Sequence, residues 1–392
     1  MRNEEPTFSA LGVSDDLVAV LDDAGIPSPF PVQRLCIPDA LAGRDVCGKA
    51  KTGSGKTLAF GLPLIERVGP AESKRPSGMV LVPTRELAVQ VSKVLRPLAK
   101  ARNLRLATVY GGAPMAKQVN DLRGGAEIVV ATPGRLIDLV DRRSVELTNL
   151  GIVVIDEADR MADMGFLPQV EWLLRHAQGE HQTLLFSATL DGGIQGLVDR
   201  YQHNPVFHEV GSATVSVELM AHRFLLVHEM DKPRLAAAIS NSTGRTLVFV
   251  NTKRQADKVA KDLAELDVDA KAIHGDLRQE VRERALKRFA EGRLAVLVAT
   301  DVAARGLDID DLDVVVHYDP APDHKTYLHR SGRTARAGAK GLAVTLVLWN
   351  QELEIRRLKR RLDLEQPIVE MFSNDPRLAD LAAWDPAEEG AA

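Results

Sequence analysis

The stretch AKTGSGKT at residues 50–57 has the residue types of a loop that holds nucleotide phosphates. In such loops glycines permit a tight turn, backbone N–H groups surround phosphate oxygens, a lysine neutralises the outer phosphates and a hydroxyl binds Mg²⁺. Gly53 and Gly55 suit the turn, Lys56 carries the charge and Thr57 supplies the hydroxyl. A glycine-rich surface turn is the alternative. The amphipathic run LAFGLPLIERV that follows favours the phosphate loop, because it predicts a helix whose N-terminus faces the phosphates.

Two adjacent carboxylates end an apolar run, VVIDEAD, about a hundred residues later. Buried strands rarely end in acids without a reason, so we predict that Asp156 holds Mg²⁺. Glu157 would orient or deprotonate the attacking water. An acidic cap on the next helix is the alternative, and it suits Asp159 better than the adjacent pair. The loop and the acids together predict hydrolysis of a nucleoside triphosphate.

The elements that must position these residues are short apolar runs that alternate with helical stretches. Such runs occur at 78–84, 106–112, 127–133, 151–159 and 182–189, and again at 222–228, 245–252, 294–300, 313–319 and 341–347. This alternation predicts an α/β fold with two mostly parallel sheets, each covered by helices on both faces. We predict a first lobe at 1–208, a linker at 209–221, a second lobe at 222–372 and an acidic, disordered tail at 373–392.

Length and composition limit the class of protein. The 392 residues exceed the ~250 at which single cores stop growing, which agrees with two lobes. No apolar run reaches the ~18 residues of a membrane helix, and the acidic start MRNEEPTFSA does not resemble a signal peptide. Two cysteines, Cys36 and Cys47, indicate a reducing compartment and core packing. We therefore expect a cytoplasmic protein, whose net charge of -4 requires any nucleic-acid binding to come from particular residues.

The sequence Asp156-Glu157-Ala158-Asp159 spells the signature of the DEAD-box RNA helicases, and the chain resembles this family over most of its length. Its motifs occur in family order, and the family's phosphate loop begins with alanine, as Ala50 does here. The resemblance implies two RecA-like lobes that close on ATP, Mg²⁺ and single-stranded RNA. In each lobe the unusual polar residues follow the strands, where open α/β sheets bind ligands, so we expect the working site in a cleft shared by the lobes.

The segment GIPSPFPVQ at 25–33 resembles the family's adenine-reading motif. The resemblance implies that Gln33 pairs with the edge of adenine and that Phe8 stacks on its ring, which favours ATP over GTP. Taken alone, Gln33 would be a surface glutamine and Phe8 a packing residue. Phe30 stands where the family more often has threonine. The full set of ATP-binding residues implied by the resemblance is Phe8, Gln33, Ala50, Lys51, Thr52, Gly53, Ser54, Gly55, Lys56, Thr57, Gly306 and Asp308.

The resemblance also implies residues that contact RNA and residues that couple the lobes. Arginines, hydroxyls and helix N-termini suit phosphates, and no aromatic platform accompanies them, so we expect sequence-independent binding to the RNA backbone. The implied RNA contacts are Pro83, Thr84, Arg85, Gly112, Thr132, Pro133, Gly134, Arg135, Gln279, Arg282 and Thr300. The implied coupling residues are Asp159, Ser187, Thr189 and His329, although a serine after a strand also commonly caps a helix.

The stretch HRSGRTARAG at 329–338 places arginines at intervals of three in the second lobe. Such arginines are either a solvated surface or fingers for a phosphate bound elsewhere. The resemblance implies that Arg333 and Arg336 reach the γ-phosphate when the lobes close. We therefore predict an ATP-dependent RNA helicase that acts as a monomer on short duplexes or ribonucleoprotein assemblies. An ATP-dependent RNA clamp shares every motif, whereas a DNA translocase and a metabolic ATPase fit the motifs less well.

Overall fold

The computed structural model describes residues 6–50, 53–190, 192–210, 220–304, 312–334 and 341–386. The chain divides into two compact units, Met1–Ser212 and Ala213–Ala392. Each unit is built around one sheet of seven parallel strands.

The first unit contains a fully parallel sheet whose strands lie in the order β3-β4-β2-β5-β6-β1-β7. Its strands are β1 (Val46–Lys49), β2 (Gly78–Leu81), β3 (Leu106–Val109), β4 (Ile128–Ala131), β5 (Ile152–Ile155), β6 (Gln182–Ser187) and β7 (Val206–Glu209). The central strands are rich in valine, isoleucine and leucine, which pack well on a pleated surface. Every residue of β2, β4, β5 and β6 is buried, as expected for a parallel sheet covered on both faces.

Nine helices of the described residues cover this sheet. They are α1 (Asp15–Asp23), α2 (Pro31–Leu41), α3 (Lys56–Arg67), α4 (Arg85–Ala101), α5 (Met115–Arg123), α6 (Pro133–Asp141), α7 (Ala158–Asp163), α8 (Leu167–His176) and α9 (Gly192–Tyr201). Successive side chains of a strand point to opposite faces. Ile152 and Val154 therefore join one core cluster, whereas Val153 and Ile155 join the other.

The second unit repeats this architecture. Its strands are β8 (Met220–Leu226), β9 (Thr246–Val250), β10 (Ala270–Ile273), β11 (Val296–Thr300), β12 (Val314–His317), β13 (Gly341–Val347) and β14 (Ile368–Glu370). Their order, β10-β11-β9-β12-β13-β8-β14, matches that of the first sheet strand for strand. The helices described here are α10 (Lys232–Thr243), α11 (Lys253–Ala264), α12 (Gln279–Ala290), α13 (Asp301–Ala304), α14 (His324–Ser331) and α15 (Glu352–Arg361). The prediction of two tandem RecA-like α/β lobes is confirmed.

The prediction of a disordered tail from residue 373 is wrong for the part that the structure describes, 373–386. Residues Pro376–Asp380 form a 3₁₀ turn, and Leu378 and Leu381 are buried in the core of the second unit. Trp384 lies against two guanidinium groups, with Arg377 5.1 Å from its ring centroid. Burial of these apolar side chains stabilises the segment, although its acidic composition had predicted disorder. Residues 387–392 lie outside the described residues.

Candidate functional site

The predicted catalytic residues of the first unit follow three neighbouring strands. The phosphate loop follows β1, Ser187 ends β6, and Asp156 and Glu157 come directly after β5. In the sheet these strands are adjacent in the order β5-β6-β1. Because they are parallel, their carboxyl ends meet at one edge, which is where open α/β sheets bind ligands. The fold thus brings together residues that are a hundred positions apart in the sequence.

The loop has the backbone geometry that a phosphate cradle needs. Gly53 and Gly55 both have positive φ, at 79° and 88°, a conformation that is cheap only for glycine. A Cβ at Gly55 would also lie 2.6 Å from Nε2 of Gln33. Helix α3 begins at Lys56, so its free N–H groups and positive dipole end face the loop. The described part of the loop therefore fits phosphates, while Lys51 and Thr52 lie outside the described residues.

The loop lysine and the acid after β5 are buried close together. Nζ of Lys56 donates to the carbonyl of Ala50 at 3.0 Å and lies 4.0 Å from Oδ1 of Asp156. Burial, helped by the charges of Glu157 and Asp159 and opposed by that of Lys56, raises the pKa of Asp156 to about 6. Asp156, a buried carboxylate with two further acids near it, therefore gains electrostatically from an additional cation.

Glu157 has an unusual backbone conformation, and its side chain is paired with an arginine that the sequence motifs did not indicate. Its φ of 52° places a bulky side chain in the left-handed region, and its N–H donates to Oδ1 of Asp156 at 2.9 Å. Arg160 donates from Nη1 to Oε2 of Glu157 at 2.7 Å, and both side chains are buried. The spacing of three residues within one helical turn was the available signal for this pair.

The donor set suits magnesium better than a softer metal. The hydroxyl of Thr57, in the first turn of α3, and the carboxylate of Asp156 are both hard oxygen ligands. No cluster of three or more histidine, cysteine or acidic side chains able to hold a metal occurs among the described residues. Mg²⁺ usually keeps several waters and binds through one or two carboxylates plus substrate phosphates, so these residues fit it.

The adenine-reading residues have a different arrangement from the one expected. Phe8 is only 1% exposed and belongs to the core cluster, which agrees with the packing alternative. Its stacking on adenine stays a prediction. Gln33 is buried at the start of α2, where its Oε1 accepts the N–H of Phe30 at 2.8 Å. Its Nε2 donates to the carbonyl of Gly55 at 2.9 Å, which ties this motif to the phosphate loop.

The proposed coupling residues of the first unit are partly connected. The Oγ of buried Ser187 accepts the N–H of Asp159 at 3.1 Å, and this N–H belongs to the first turn of α7. Ser187 thus caps a helix that belongs to another segment, which agrees with the capping alternative, and its coupling to the second lobe stays a prediction. Thr189 follows β6 and is partly exposed. In the second unit, His329 is exposed on α14.

The predicted RNA contacts of the first unit follow the other three neighbouring strands, β3, β4 and β2. Arg85 and Arg135 meet at the turn after β3. Arg135 donates to the carbonyl of Ala113 at 3.2 Å, and a Cβ at Gly112 would lie 3.1 Å from Nη1 of Arg85. Thr84 caps α4 through its hydroxyl. The remaining members, Pro83 after β2 and Thr132, Pro133 and Gly134 after β4, lie at the same edge of the sheet.

The RNA-contact set of the second unit is only partly described. Thr300 ends β11 with a buried side chain. Arg282 is 4% exposed and donates from Nη2 to the carbonyl of Ala303 at 2.9 Å. The guanidinium therefore anchors the segment after β11, and the contact of Arg282 with RNA stays a prediction. The side chain of Gln279 lies outside the described residues.

The nucleotide-facing set of the second unit is described only at Arg333, which follows α14 and is partly exposed. Arg336, Gly306 and Asp308 lie outside the described residues.

Arg330, the first arginine of the HRSGRTARAG stretch, has a role that the sequence did not indicate. Its side chain is 1% exposed and makes a bidentate pair with Asp301, with both N···O distances 2.7 Å. It also donates to the carbonyl of Asp319 at 2.7 Å and to Oδ1 of Asn251 at 3.1 Å, and lies over the ring of Phe249. Arg330 therefore joins the ends of β9, β11 and β12. The spacing of three arginines did not distinguish this internal one from its neighbours.

No helix in the described part of the chain is long and apolar enough to cross a membrane.

Comparisons with known proteins agree with this arrangement. Residues 30–196 match the DEAD/DEAH box helicase family, and residues 231–338 match the helicase conserved C-terminal domain. The DEAD-box ATP-dependent RNA helicase CshA of Bacillus subtilis is 39% identical over 371 residues, which are 93% of this chain and 75% of that protein. The CshA of Bacillus licheniformis is 40% identical over 363 residues, or 91% and 74% of the two chains.

Solved structures give the same answer. The chain is similar to S. cerevisiae Dbp5 bound to RNA and ADP BeF3, with a TM-score of 0.81, 29% identity and coverage of 94% of this chain and 96% of that one. It is also similar to a DEAD box protein from the hyperthermophile Methanococcus jannaschii, with a TM-score of 0.53, 34% identity and coverage of 93% and 99%. Family, relatives and architecture agree, and the chain belongs to the DEAD-box family of ATP-dependent RNA helicases.

Proposed function

We propose that this helicase hydrolyses ATP, with Mg²⁺, at the carboxyl ends of β1, β6 and β5, and that RNA held at the ends of β3, β4 and β2 stimulates the hydrolysis. The division of one sheet edge into these two neighbouring halves carries the proposal. Dbp5, whose fold this chain shares, has been solved with RNA and ADP BeF3 bound together. Simultaneous binding of RNA and nucleotide is the arrangement that we extend to this chain.

Each residue of the nucleotide half has a role that its geometry supports. The N-terminus of α3 and Lys56 neutralise the phosphates. To do so, Lys56 exchanges its hydrogen bond to the carbonyl of Ala50 for a bond to a phosphate oxygen. Thr57 and Asp156 would hold Mg²⁺, which supplies charge to the transferring phosphate. Glu157 orients the attacking water and accepts its proton, since its backbone N–H bonds the Asp156 carboxylate and its own carboxylate is fixed by Arg160.

The RNA half binds the backbone. Arg85 and Arg135 lie at one turn. Arg135 now contacts a backbone carbonyl, which an RNA phosphate can replace with a stronger charge-assisted contact, and Arg85 can exchange its ion pair with Glu86 for one with a phosphate. Recognition of this kind does not depend on base sequence. In the second unit we keep Arg333 and Arg336 as the arginines that act on the γ-phosphate, Gly306 and Asp308 as ribose contacts, and Thr300 as an RNA contact.

The test measures ATP turnover by the purified full chain with and without single-stranded RNA, and with duplex DNA as the control polymer. RNA should stimulate turnover and duplex DNA should not. Glu157→Gln should lower the RNA-stimulated rate by at least about a hundredfold, because a positioned general base contributes 10²–10⁴ in rate. Glu265→Gln, at the C-terminal end of α11, is the matched control and should behave as wild type. An absence of RNA stimulation, or normal turnover by Glu157→Gln, would overturn the proposal.

Strand displacement on a short RNA duplex, compared with dwell time on single-stranded RNA, separates unwinding from clamping. We also propose that the protein works as a cytoplasmic monomer on ribonucleoprotein assemblies. Its two cysteines are buried and unpaired by disulfide, which suits a reducing compartment. Light scattering tests the monomer, and cell fractionation with RNA crosslinking tests the location and the targets.

A further inference from the structure

Helix α14 is held on the second sheet by polar contacts as well as by apolar packing. Its inward residues Tyr327, Arg330 and Ser331 are at most 1% exposed. The hydroxyl of Tyr327 lies 2.8 Å from Nδ1 of His222 on β8, and the Tyr327 ring stacks on that of His317 with the ring centroids 4.6 Å apart. Because hydrogen bonds fix direction as well as distance, these contacts set the rotation of the helix on the sheet.

The last residue of α14 is bonded to the last residue of β12. Oγ of Ser331 lies 3.0 Å from Nε2 of His317, and both side chains are fully buried. Burial, helped by the charge of Arg330, lowers the pKa of His317 well below its ordinary value, so the ring is neutral at pH 7 and carries one N–H. Nδ1 of His317 has no hydrogen-bond partner in the part of the chain that the structure describes. The N–H therefore belongs on Nε2, from which it donates to Ser331.

Arg333 follows this hydrogen bond by two residues, and the chain is anchored again directly after it. Thr334 is fully buried, and its hydroxyl donates to the carbonyl of Leu312, just before β12, at 2.6 Å. The carbonyl of Arg333 itself accepts the N–H of Leu312 at 3.4 Å. The backbone at Arg333 is thus fastened on both sides to the two ends of one strand, while its side chain is partly exposed.

We propose that His317 and Ser331 position Arg333 for its action on the γ-phosphate: the hydrogen bond between them fixes the end of α14, and with it the turn from which the guanidinium extends. This inference rests on the proposed role of Arg333 and goes beyond it, because both residues are fully buried and act through the arginine. An arginine finger contributes ~10³ or more in rate, and a misplacement of about 1 Å can cost about a hundredfold.

Ser331→Ala removes the hydroxyl and leaves a good helix former in its place. The kcat of RNA-stimulated ATP hydrolysis should fall about tenfold, whereas KM for ATP should stay within about twofold, because the arginine acts in the transition state. Ser240→Ala removes a buried serine hydroxyl from α10 of the same unit; it is the matched control and should keep the wild-type kcat. In an Arg333→Ala background, Ser331→Ala should lower the single-turnover rate no further, because residues that act through one group are not additive.

A second variant separates positioning from stability. Ser331→Ala leaves the N–H of His317 without its acceptor, which can lower the unfolding temperature. Combining it with His317→Phe replaces both polar partners by apolar groups, so the unfolding temperature should return towards that of wild type while kcat stays low.

Full recovery of kcat in this double variant would overturn the inference, as would an unchanged kcat in Ser331→Ala or an equal loss with and without Arg333. If Arg333→Ala itself hydrolysed ATP at the wild-type rate, the proposed role of Arg333 would be wrong and the positioning role with it.

Discussion

Arg330→Ala should lower the free energy of unfolding of the second unit by about 3 kcal/mol. The guanidinium is 1% exposed and donates to both oxygens of Asp301. Removing one partner of a buried ion pair leaves an uncompensated charge, which costs about 3–5 kcal/mol. The Asp301 side chain is 21% exposed and can recover some hydration, so the lower end of that range applies. The unfolding equilibrium should therefore shift by about two orders of magnitude.

The measurement must report on the second unit alone, because a chain of two units need not unfold in one step. Trp349 and Trp384 belong to the second unit, whereas Trp172 belongs to the first. Denaturant unfolding followed by tryptophan fluorescence in a Trp172→Phe background isolates the second unit. Trp384 packs against the core of that unit and should respond to its unfolding.

Two further variants test whether burial of the ion pair causes the loss of unfolding free energy in Arg330→Ala. Arg356→Ala breaks an exposed pair with Glu352 on α15 and should cost no more than about 0.5 kcal/mol. Asp301→Ala combined with Arg330→Ala should cost clearly less than the sum of the two single changes, because each single change strands the other charge. A loss below about 1 kcal/mol for Arg330→Ala, or additive single changes, would refute the reasoning.

Three other predictions concern stability and reactivity. Burial raises the pKa of Cys36 to about 12 and that of Cys47 to about 11, so neither thiol should react with iodoacetamide at pH 8 before unfolding; mass spectrometry detects any early modification. Gly48→Ala should destabilise the first unit by about 1–3 kcal/mol in denaturant unfolding, because its Cβ would lie 2.6 Å from a buried ring on β6. The hydrogen bond from Arg102 lowers the pKa of Asp16 from 3.8 to about 2, so their pair stabilises the fold above pH 3.8 and this contribution is lost as the pH falls towards 2. Asp16→Asn should remove that acid dependence, which amounts to under about 1 kcal/mol at this exposed site; an unchanged pH profile would contradict the assignment.

The central strands could be predicted from the sequence because burial on both faces makes them continuously apolar. The strands that were missed are β1 and the outer strands β7, β10 and β14. The outer ones are short and partly exposed, as the alternating exposure along β7 shows, so their composition resembles that of loops. Strand β1 contains Gly48 and ends at Lys49. These residue types are common in loops, so the sequence did not indicate a strand there.

The site could be predicted where chemistry requires a fixed local pattern, as in the phosphate loop and at Asp156 and Glu157. It could not be predicted where a role depends on burial or on a distant partner. Spacing alone does not reveal that Phe8 packs into the core, nor that Arg330 pairs with a carboxylate 29 positions earlier. Arginines with the same local context thus have different environments, and only the fold separates them.

Ser187 shows how the geometry of the sheet makes one residue serve two segments. Strand β6 lies between β1 and β5, so its end separates the phosphate loop from the acids. The backbone carbonyl of Ser187 accepts the N–H of Ala50 at 2.9 Å, and its hydroxyl accepts the N–H of Asp159 at 3.1 Å. A single buried residue therefore connects the phosphate loop to the helix after the acids. Because interiors are close-packed, such a link transmits small displacements instead of absorbing them.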